Sequence, residues 1–439
     1  MVAVERYVEA YRAFAANGAA GAPAWLTQLR DGGIARFGEL GFPTTKQEAW
    51  RFTSVAPLIE TLFELAPVPG TRYPVPADIE PFLLGAGPRL VFVNGHFGPT
   101  LSRVAGLPGG GVRVESLAHA LATDPERVRE HLGKYAAFQD RPFAALNTAF
   151  VRDGAFVYVP PKLTVEEPIQ LLFIATPAGE AGGARPVAHP RNLIVIEREA
   201  RASVVETYAT LGGAVHWTNA VTEIVAADGA RADCYRVQRE SDQAYHVAVT
   251  EIHQGRDSIV HFHAVAFGGA LARHDLRGTL AGPGGYLILN GLYLLAGGQH
   301  ADHHTAIEHA APHCESHEYF NGVLDGRSRG VFNGRIIVRP GAQKTDSKQT
   351  NNNLLLSADA HADSQPQLEI YADDVKCTHG STVGPLDPRA LFYLRSRGMG
   401  EAEARRLLTY GFAAEILGRM EIAPLRAQLD GIVRARLGE

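Results

Sequence analysis

Two residues with the chemistry of soft metal ligands stand two positions apart in DDVKCTHGSTVG, residues 373–384. Cys377 offers a thiol and His379 an imidazole, and both groups bind zinc and iron. No further Cys-x-His or Cys-x-x-Cys pair follows to complete a set of four ligands. Residues at i and i+2 of a strand share one face, so both side chains would point the same way. The sequence predicts part of a metal site; the alternative is a buried structural thiol beside a hydrogen-bonded histidine.

A denser group of candidate ligands lies in QHADHHTAIEHAAPHCESHEYF, residues 299–320. Its members are His300, His303, His304, His309, His313 and His317, with Asp302, Glu308 and Cys314 among them. Their spacing fits no closed zinc pattern, and strand alternation would send neighbouring histidines to opposite faces. We therefore expect surface or stacked histidines here, as we do for His261 and His263, and leave the role of the segment open.

Two motifs resemble enzyme signatures without their structural context. GRSRG at 326–330 has the Gly-x-Ser-x-Gly pattern, but the strand-like VFNGRIIV follows Ser328 where a nucleophile elbow needs a helix. We expect a solvated glycine-rich turn there. GAQKTDS, which begins at Gly341, lacks the glycine spacing of a phosphate loop, so any ATP dependence would come from another subunit.

Composition narrows the class of protein. The 439 residues are 46% hydrophobic and 20% charged, which is typical of a folded globular chain. The net charge of -5, without a basic stripe, argues against nucleic-acid binding. The charged start MVAVERYVEAYRAF does not fit a signal peptide, and no stretch is apolar enough to span a membrane. We expect a cytoplasmic protein whose three cysteines, Cys234, Cys314 and Cys377, remain thiols.

Changes in residue pattern divide the chain into three regions. Residues 1–150 are mostly of helical periodicity, residues 151–385 are short β-branched runs, and residues 386–439 are helical again. A proline-rich segment at 66–81 predicts a linker or an extended surface crossing. In the last region Asp387 and Pro388 predict a helix start, and Gly398 its end.

The middle region favours a β-solenoid over a sandwich or a barrel. Its strands follow one another without intervening helices, and KQTNNNLLLS at 348–357 supplies asparagines that could form a ladder along stacked turns. Asn-Gly pairs at 290–291, 321–322 and 333–334 predict turns between strands, since both residues tolerate positive φ. C-terminal to the middle region, an apolar stripe on a predicted helix must be buried on this core or on a partner. The stripe consists of Leu425, Leu429, Ile432, Val433 and Leu437.

Several stretches together resemble the SufB/SufD family, in particular its SufD-type members, scaffold subunits of the Suf iron–sulfur cluster assembly system. They are GFPTTKQEAWRFTSV, FAALNTAF, HPRNLIVIE, KTDSKQTNNNLLLS and LEIYADDVKCTHGSTVGPLDPRALFYLRSRG. The resemblance covers nearly the whole chain. It implies a right-handed parallel β-helix flanked by N-terminal and C-terminal helical units, and a scaffold role without catalysis of its own.

The resemblance also implies partners and a site. A SufB-like scaffold subunit would pair through the β-helix, and a SufC-like ATPase would dock on the C-terminal helices at residues 386–439. Residues 376–380 correspond to the family's Lys-Cys-Ser-His-Gly element with Thr378 in place of serine, so His379 and Cys377 would face a transient iron–sulfur cluster shared with the partner subunit. The candidate ATPase-binding residues are Phe392, Tyr393, Arg395 and Arg397, a mixture of aromatic and arginine side chains that is common at interfaces.

Three further expectations stay open at this point. The resemblance allows a reduced flavin in the complex. The paired edge of the β-helix would let the isolated chain form a homodimer. The alternative function is a β-helix enzyme acting on carbohydrate, which would need carboxylates on an exposed face of the solenoid and would have no need of the C-terminal helices.

Overall fold

The computed structural model describes residues 2–17, 21–67, 73–177 and 185–438. A β core lies between two helical regions. The helices are α1 (Val2–Asn17), α2 (Ala24–Leu40), α3 (Ala56–Glu60), α4 (Pro76–Ile79), α5 (Leu117–Thr123), α6 (Pro125–His131), α7 (Pro142–Ala149), α8 (Pro388–Ser396), α9 (Glu401–Leu417) and α10 (Ala423–Arg436), with short 3-10 turns at Glu48–Trp50 and Glu80–Phe82.

The strands form two long sheets. They are β1 (Phe63–Leu65), β2 (Arg89–Val93), β3 (His96–Phe97), β4 (Arg113–Ser116), β5 (Ala155–Val159), β6 (Ile169–Ala175), β7 (Arg185–Ala188), β8 (Arg191–Ile196), β9 (Arg201–Thr210), β10 (Trp217–Ala226), β11 (Arg231–Arg239), β12 (Tyr245–Gln254), β13 (Ile259–Ala266), β14 (Leu271–Leu280), β15 (Tyr286–Leu295), β16 (His300–His309), β17 (Glu315–Leu324), β18 (Arg329–Val338), β19 (Asp346–Leu355), β20 (His361–Ile370) and β21 (Lys376–Gly384). From β8 onward, consecutive strands alternate between the sheets.

This alternation makes a parallel β-solenoid of about seven turns, which confirms the predicted fold class. Each strand from β8 to β19 pairs in parallel with the strand two positions later in the chain. Alternate residues point inward, and the inward-facing positions carry most of the main apolar core, including Phe262, Leu289 and Phe332. The period of two in each strand therefore sets which residues fill the solenoid and which face outward.

The predicted asparagine ladder is present on the outer face of one sheet. Asn352 of β19 donates to the Asn321 side-chain oxygen at 3.4 Å and accepts from the Thr382 hydroxyl at 2.7 Å. Strand register places these three residues side by side on successive turns. The ladder links β17, β19 and β21.

The prediction that Asn-Gly pairs form turns is wrong. All three pairs lie inside strands: 290–291 in β15, 321–322 in β17 and 333–334 in β18. Their glycines make room for large neighbours in the interior. A Cβ added at Gly291 would lie 2.1 Å from the Phe320 ring, and one at Gly322 would lie 2.1 Å from the Tyr293 ring. Glycine is therefore required at these positions because a larger side chain would not fit, and not because the backbone needs positive φ.

The N-terminal helices cover the outer face of one sheet. Aromatic residues of α1 and α2 pack with Phe143 of α7 against Trp217 of β10. Strand β2 also belongs to the solenoid, because it pairs with β6. Within the proline-rich segment, residues 68–72 lie outside the described residues, and the rest leads into α4.

The C-terminal helices α9 and α10 cover the outer face of the other sheet. The predicted stripe is buried there: Leu425, Leu429 and Val433 are inaccessible to solvent and pack in one cluster with strand residues such as Val265 and Leu292. Helix α8 differs, because it has no buried residue. The Asp387 side chain caps it by accepting from the Arg389 backbone N–H, as predicted.

Candidate functional site

The solenoid ends at an open edge formed by β20 and β21. These are the terminal strands of the two sheets, paired with β18 and β19 respectively. Among residues 2–17, 21–67, 73–177 and 185–438, no strand pairs with their other side. An unpaired strand edge presents backbone N–H and C=O groups on which another strand can pair.

Cys377 and His379 lie at this edge, on the inward-facing side of β21. Strand register sets Cys377 beside Ser347 and His379 beside Gln349. Ser347 and Gln349 are each 1% exposed, whereas Cys377 is half-buried and His379 is exposed. The difference arises because no further turn of the described chain covers the last strand. Both predicted ligands are therefore accessible at the end of the solenoid.

The Cys377 thiol is neutral in the free chain. It packs against the edge of the main core, and burial together with the Asp346 carboxylate raises its pKa above the ordinary value. A thiolate is the form that binds a metal. Coordination at Cys377 would therefore need a cation close enough to offset both effects.

A chain of hydroxyl and amide groups connects the same edge to the interior. The Ser381 hydroxyl donates to Ser364 at 2.8 Å, and Ser364 donates to the Asn351 side-chain oxygen at 2.8 Å. The Asn351 amide donates in turn to the Tyr293 hydroxyl at 3.2 Å. The inner surface at the open end is thus polar, unlike the apolar interior around β13 and β15.

Cys377 and His379 are two potential ligands, fewer than the four of a closed zinc site. In the part of the chain that the structure describes, no three His, Cys, Asp or Glu side chains converge as a metal-binding group.

The histidine-rich segment forms strands β16 and β17 and the loop between them, and its side chains lie on both faces of these strands. Each residue has its own local environment: His300 bonds Thr53, His303 stacks on Tyr293, His304 pairs with Asp302, His309 bonds Ser316, His313 has positive φ, and His317 pairs with Glu315. This arrangement agrees with stacked and surface histidines except at His309, which is fully buried beside Ser316. His261 and His263 behave similarly, since His261 pairs with Asp233 at 2.9 Å and His263 stacks on Tyr235.

Ser328 corrects one expectation. The strand β18 begins directly after it, so the helix of a nucleophile elbow is absent at this position. The predicted solvated turn is also wrong, because Ser328 is fully buried between two turns of the solenoid. Stacking of successive turns buries the loop as well as the strands.

Helix α8 presents the candidate ATPase-binding residues to solvent. Phe392 is 73% exposed and Tyr393 is 57% exposed, unusual values for large aromatic side chains. The Arg397 guanidinium lies 5.2 Å from the Tyr393 ring centre, and Arg395 pairs with Glu401 at 3.4 Å. The four residues form one exposed surface of aromatic and arginine groups, here called the α8 surface.

Sequence reasoning missed an apolar rim beside the open edge. Ile370 and Tyr371 at the end of β20, and Val383 near the end of β21, are each at least 40% exposed. Their strand pattern alone does not reveal this exposure, because the same residue types are buried in inner turns. The rim places exposed apolar groups on the two strands that form the open edge.

Comparison with known proteins gives two family matches that together span most of the chain. Residues 1–171 match the model of the SufBD protein N-terminal region. Residues 178–412 match the SufBD core domain of the SUF system for FeS cluster assembly.

Individual relatives agree with these matches. An iron–sulfur cluster assembly SufBD family protein of Synechocystis is 33% identical over 94% of this chain and 91% of its own length. The iron–sulfur cluster assembly protein SufD of Escherichia coli is 32% identical over 91% of this chain and 89% of its own length. The SufD protein of Bacillus subtilis is 28% identical, with 94% of both chains covered.

Among the described residues, no helix has the length and apolar character needed to cross a membrane.

Proposed function

Because this chain belongs to the SufBD family of iron–sulfur cluster assembly proteins, we propose that it is a non-catalytic scaffold subunit that holds a nascent cluster together with a SufB-like partner. The observation that carries the proposal is the open edge of β20 and β21. It combines unpaired backbone groups, an apolar rim and two accessible potential ligands, Cys377 and His379. The remaining ligands, notably a cysteine thiolate, would come from the partner subunit.

An incomplete ligand set suits a cluster that must be passed on. Four cysteine thiolates retain a cluster permanently, whereas fewer ligands shared between two chains allow exchange. An imidazole is a weaker anchor for iron than a thiolate, and His379 lies at a strand edge that opens to solvent when the partner moves. Separation of the two subunits would then remove part of the coordination and release the cluster.

The α8 surface supports a second contact, with a SufC-like ATPase. Of the helices described over residues 385–438, α8 is the one without buried residues, and this surface lies on it. ATP binding by the partner would supply the movement, and α9 and α10 would transmit it, because they pack firmly on the sheet that ends in β21.

The proposal includes a cytoplasmic location and allows a reduced flavin in the assembled complex. The location is supported by Cys234, Cys314 and Cys377, which are all free thiols. No described residue is assigned to the flavin. The alternative of an enzyme acting on carbohydrate finds no support in the family matches.

The proposal is tested in the complex. The chain is co-expressed with a SufB-like subunit and a SufC-like ATPase, purified without oxygen, and analysed for iron, sulfide and visible absorption. His379→Ala should leave the complex intact and lower cluster content by roughly tenfold. Loss of a group that only hydrogen-bonds to a metal ligand already has an effect of about this size. His361→Ala is the matched control, because His361 is also an exposed histidine and lies on β20. Equal cluster content in both variants would show that His379 has no part in cluster formation.

A further inference from the structure

A cleft of about 410 Å³ lies between the N-terminal region and the outer face of the sheet that contains β14, β16 and β18. Outward-facing residues of these strands line one side, and residues 48–50 and 140–144 line the other. Cys377 and His379 are not among the lining residues, so the cleft is separate from the candidate cluster ligands. Four arginines line it: Arg141, Arg273, Arg277 and Arg335.

Two of these arginines already have acidic partners. The Arg273 guanidinium pairs with Asp275 at 2.8 Å and with Asp302 at 2.7 Å. Arg335 of β18 pairs with Glu369 of β20 at 3.4 Å. These contacts fix both side chains and match their charges.

Arg277 of β14 has no such partner. It is half-buried, and within residues 2–17, 21–67, 73–177 and 185–438 its side chain makes neither a hydrogen bond nor an ion pair. The carboxylates of Asp140, Glu251 and Asp275 act on it only at longer range. Burial, together with the like charge of Arg141, lowers the pKa of Arg277. The fold therefore holds a guanidinium with five N–H donors in the cleft without an acceptor for them.

Arg141, the residue before α7, supplies a second unused donor. It is 9% exposed, and its Nη1 donates to Glu251. Its Nε atom is buried and has no hydrogen-bond partner in the described part of the chain. The Asp140 carboxylate lies 3.8 Å from that nitrogen, too far for a hydrogen bond, and its side chain is 75% exposed. Buried N–H groups in proteins usually have an acceptor, so this one points to a ligand in the cleft.

Strand register leaves room for that ligand. Arg277 aligns with Ala306 of β16, and Ala306 aligns with Arg335. Neighbouring strands are about 4.8 Å apart, so the backbones at Arg277 and Arg335 are separated by roughly 10 Å. The small side chain of Ala306 leaves the space between the two arginines open.

The acidic residues of the cleft do not fill this role. Asp275 and Glu369 are paired with Arg273 and Arg335, as described above. The other two acidic residues that line the cleft, Glu48 and Asp140, are exposed to solvent, where water weakens their attraction for a guanidinium.

We propose that this cleft binds a small oxyanion, a phosphate or carboxylate group, with Arg277 as the principal donor and Arg141 Nε as the second. A guanidinium donates two parallel N–H groups to a pair of oxygens, and both phosphate and carboxylate present such pairs. The bound anion would connect the segment before α7 to β14 and so join the N-terminal region to the solenoid. The site does not depend on the proposed cluster-binding role, because it lies on the outer face of the solenoid.

Calorimetric titration of the full-length chain tests the proposal. Inorganic phosphate and succinate are titrated separately, with sodium chloride used to keep the ionic strength constant. One of the two should bind with a stoichiometry of one, and the tighter ligand identifies the oxyanion group that the cleft prefers. Dissociation constants above about 1 mM for both ions would overturn the proposal.

Variants locate the bound ion. Arg277→Gln should weaken binding by roughly tenfold or more, because charge-assisted hydrogen bonds are lost. Arg277→Lys keeps the charge without the forked donors and should also bind less tightly than wild type. Arg231→Gln is the matched control, because Arg231 is a strand arginine of the other sheet whose side chain makes no hydrogen bond or ion pair among the described residues. Equal affinity in Arg277→Gln and Arg231→Gln would reduce the effect to general attraction of anions and overturn the proposal.

Melting temperatures separate binding from a structural role of Arg277. Without ligand, Arg277→Gln should melt with wild type, since it has no hydrogen bond to lose. Saturating ligand should raise the melting temperature of wild type and Arg231→Gln but not of Arg277→Gln, because an ion that binds only the folded chain stabilises it. If neither ion binds while Arg277→Gln weakens assembly with a SufB-like subunit, the cleft receives an acidic side chain of that partner and the small-oxyanion proposal is wrong.

Discussion

At the scale of single residues, the two candidate ligands differ in how firmly the fold holds them. Cys377 is packed against the core and its pKa is raised, whereas His379 is exposed at the edge. An exposed imidazole can meet a partner subunit without a change in the solenoid. His379 is therefore the better placed of the two to bind a shared cluster.

This contrast predicts different effects of replacing the two residues. Cys377→Ser preserves shape and removes only the soft sulfur, so cluster content of the purified complex should fall less than in His379→Ala. Iron and sulfide analysis of the two variants side by side gives the comparison. A larger loss in Cys377→Ser would make Cys377 the principal ligand of this chain.

Glu318 predicts a pH dependence of stability. Its pKa is about 7 in the folded chain and near 4.5 when unfolded, so the folded state binds more protons between these values. Stability from this residue is therefore present at low pH and declines as pH rises through 7. Glu318→Gln should remove that decline, which amounts to about 1 kcal/mol between pH 6 and pH 8.

The measurement is the urea midpoint of wild type and Glu318→Gln at both pH values. Other groups, such as buried histidines, titrate in both proteins and cancel in the difference. The variant should gain on the wild type as pH rises. A difference that is the same at pH 6 and pH 8 would contradict a buried carboxyl that ionises near neutral pH.

At the scale of elements, α8 and the last strands are exposed because nothing in the described chain covers them. Helices α9 and α10 bury their apolar stripes on the solenoid, but α8 keeps Phe392 and Tyr393 in solvent. Exposed aromatic residues beside arginines are typical of binding hot spots. The proposed role of α8 is therefore contact with a partner rather than packing on the solenoid.

We predict that Phe392→Ala or Arg397→Glu raises the dissociation constant for the SufC-like ATPase by roughly tenfold, equivalent to about 1.4 kcal/mol. Calorimetry with the purified ATPase measures the change. Melting temperature should stay constant, because neither residue is buried. Val104→Ala, an exposed apolar residue outside α8, is the control. Unaltered affinity in both α8 variants would exclude this surface as the docking site.

At the scale of the whole molecule, helices pack on the outer faces of both sheets, and β20 and β21 end the solenoid with a free edge. An unpaired edge of this kind is a place where another chain can continue the β structure. We predict that the same edge accepts a second copy of this chain when no SufB-like subunit is present. Pairing between two copies and pairing with the partner then exclude each other.

The isolated chain should therefore form a dimer that the partner subunit dissociates. Sedimentation velocity over a range of concentrations measures the dimer. Val383→Lys places a charge on the exposed part of the edge and should shift the equilibrium to monomer, whereas Val75→Lys, at an exposed site outside the solenoid, should not. A dimer unaffected by Val383→Lys would place the contact elsewhere.

The sequence by itself determined the fold class, the helical regions before and after the β core, and the identity of the candidate ligands. Strand alternation, the cap at Asp387 and the asparagines of β19 are local patterns, and local patterns fix local structure. The family resemblance added the role of residues 376–380 in binding an iron–sulfur cluster shared with a partner, and that role remains a proposal.

Only the tertiary structure decided which residues meet between turns. The Asn-Gly pairs lie in strands because Gly291 and Gly322 face aromatic rings one turn away, and Ser328 is buried because turns stack above and below it. The exposure of His379 and its alignment with Gln349 and Glu318 depend on the register of strands about thirty residues apart in sequence. The strand period of two specifies on which face of the sheet each side chain lies. It does not specify which residues lie beside that side chain on the next turn of the solenoid, or which turn is the last. The candidate site depends on both.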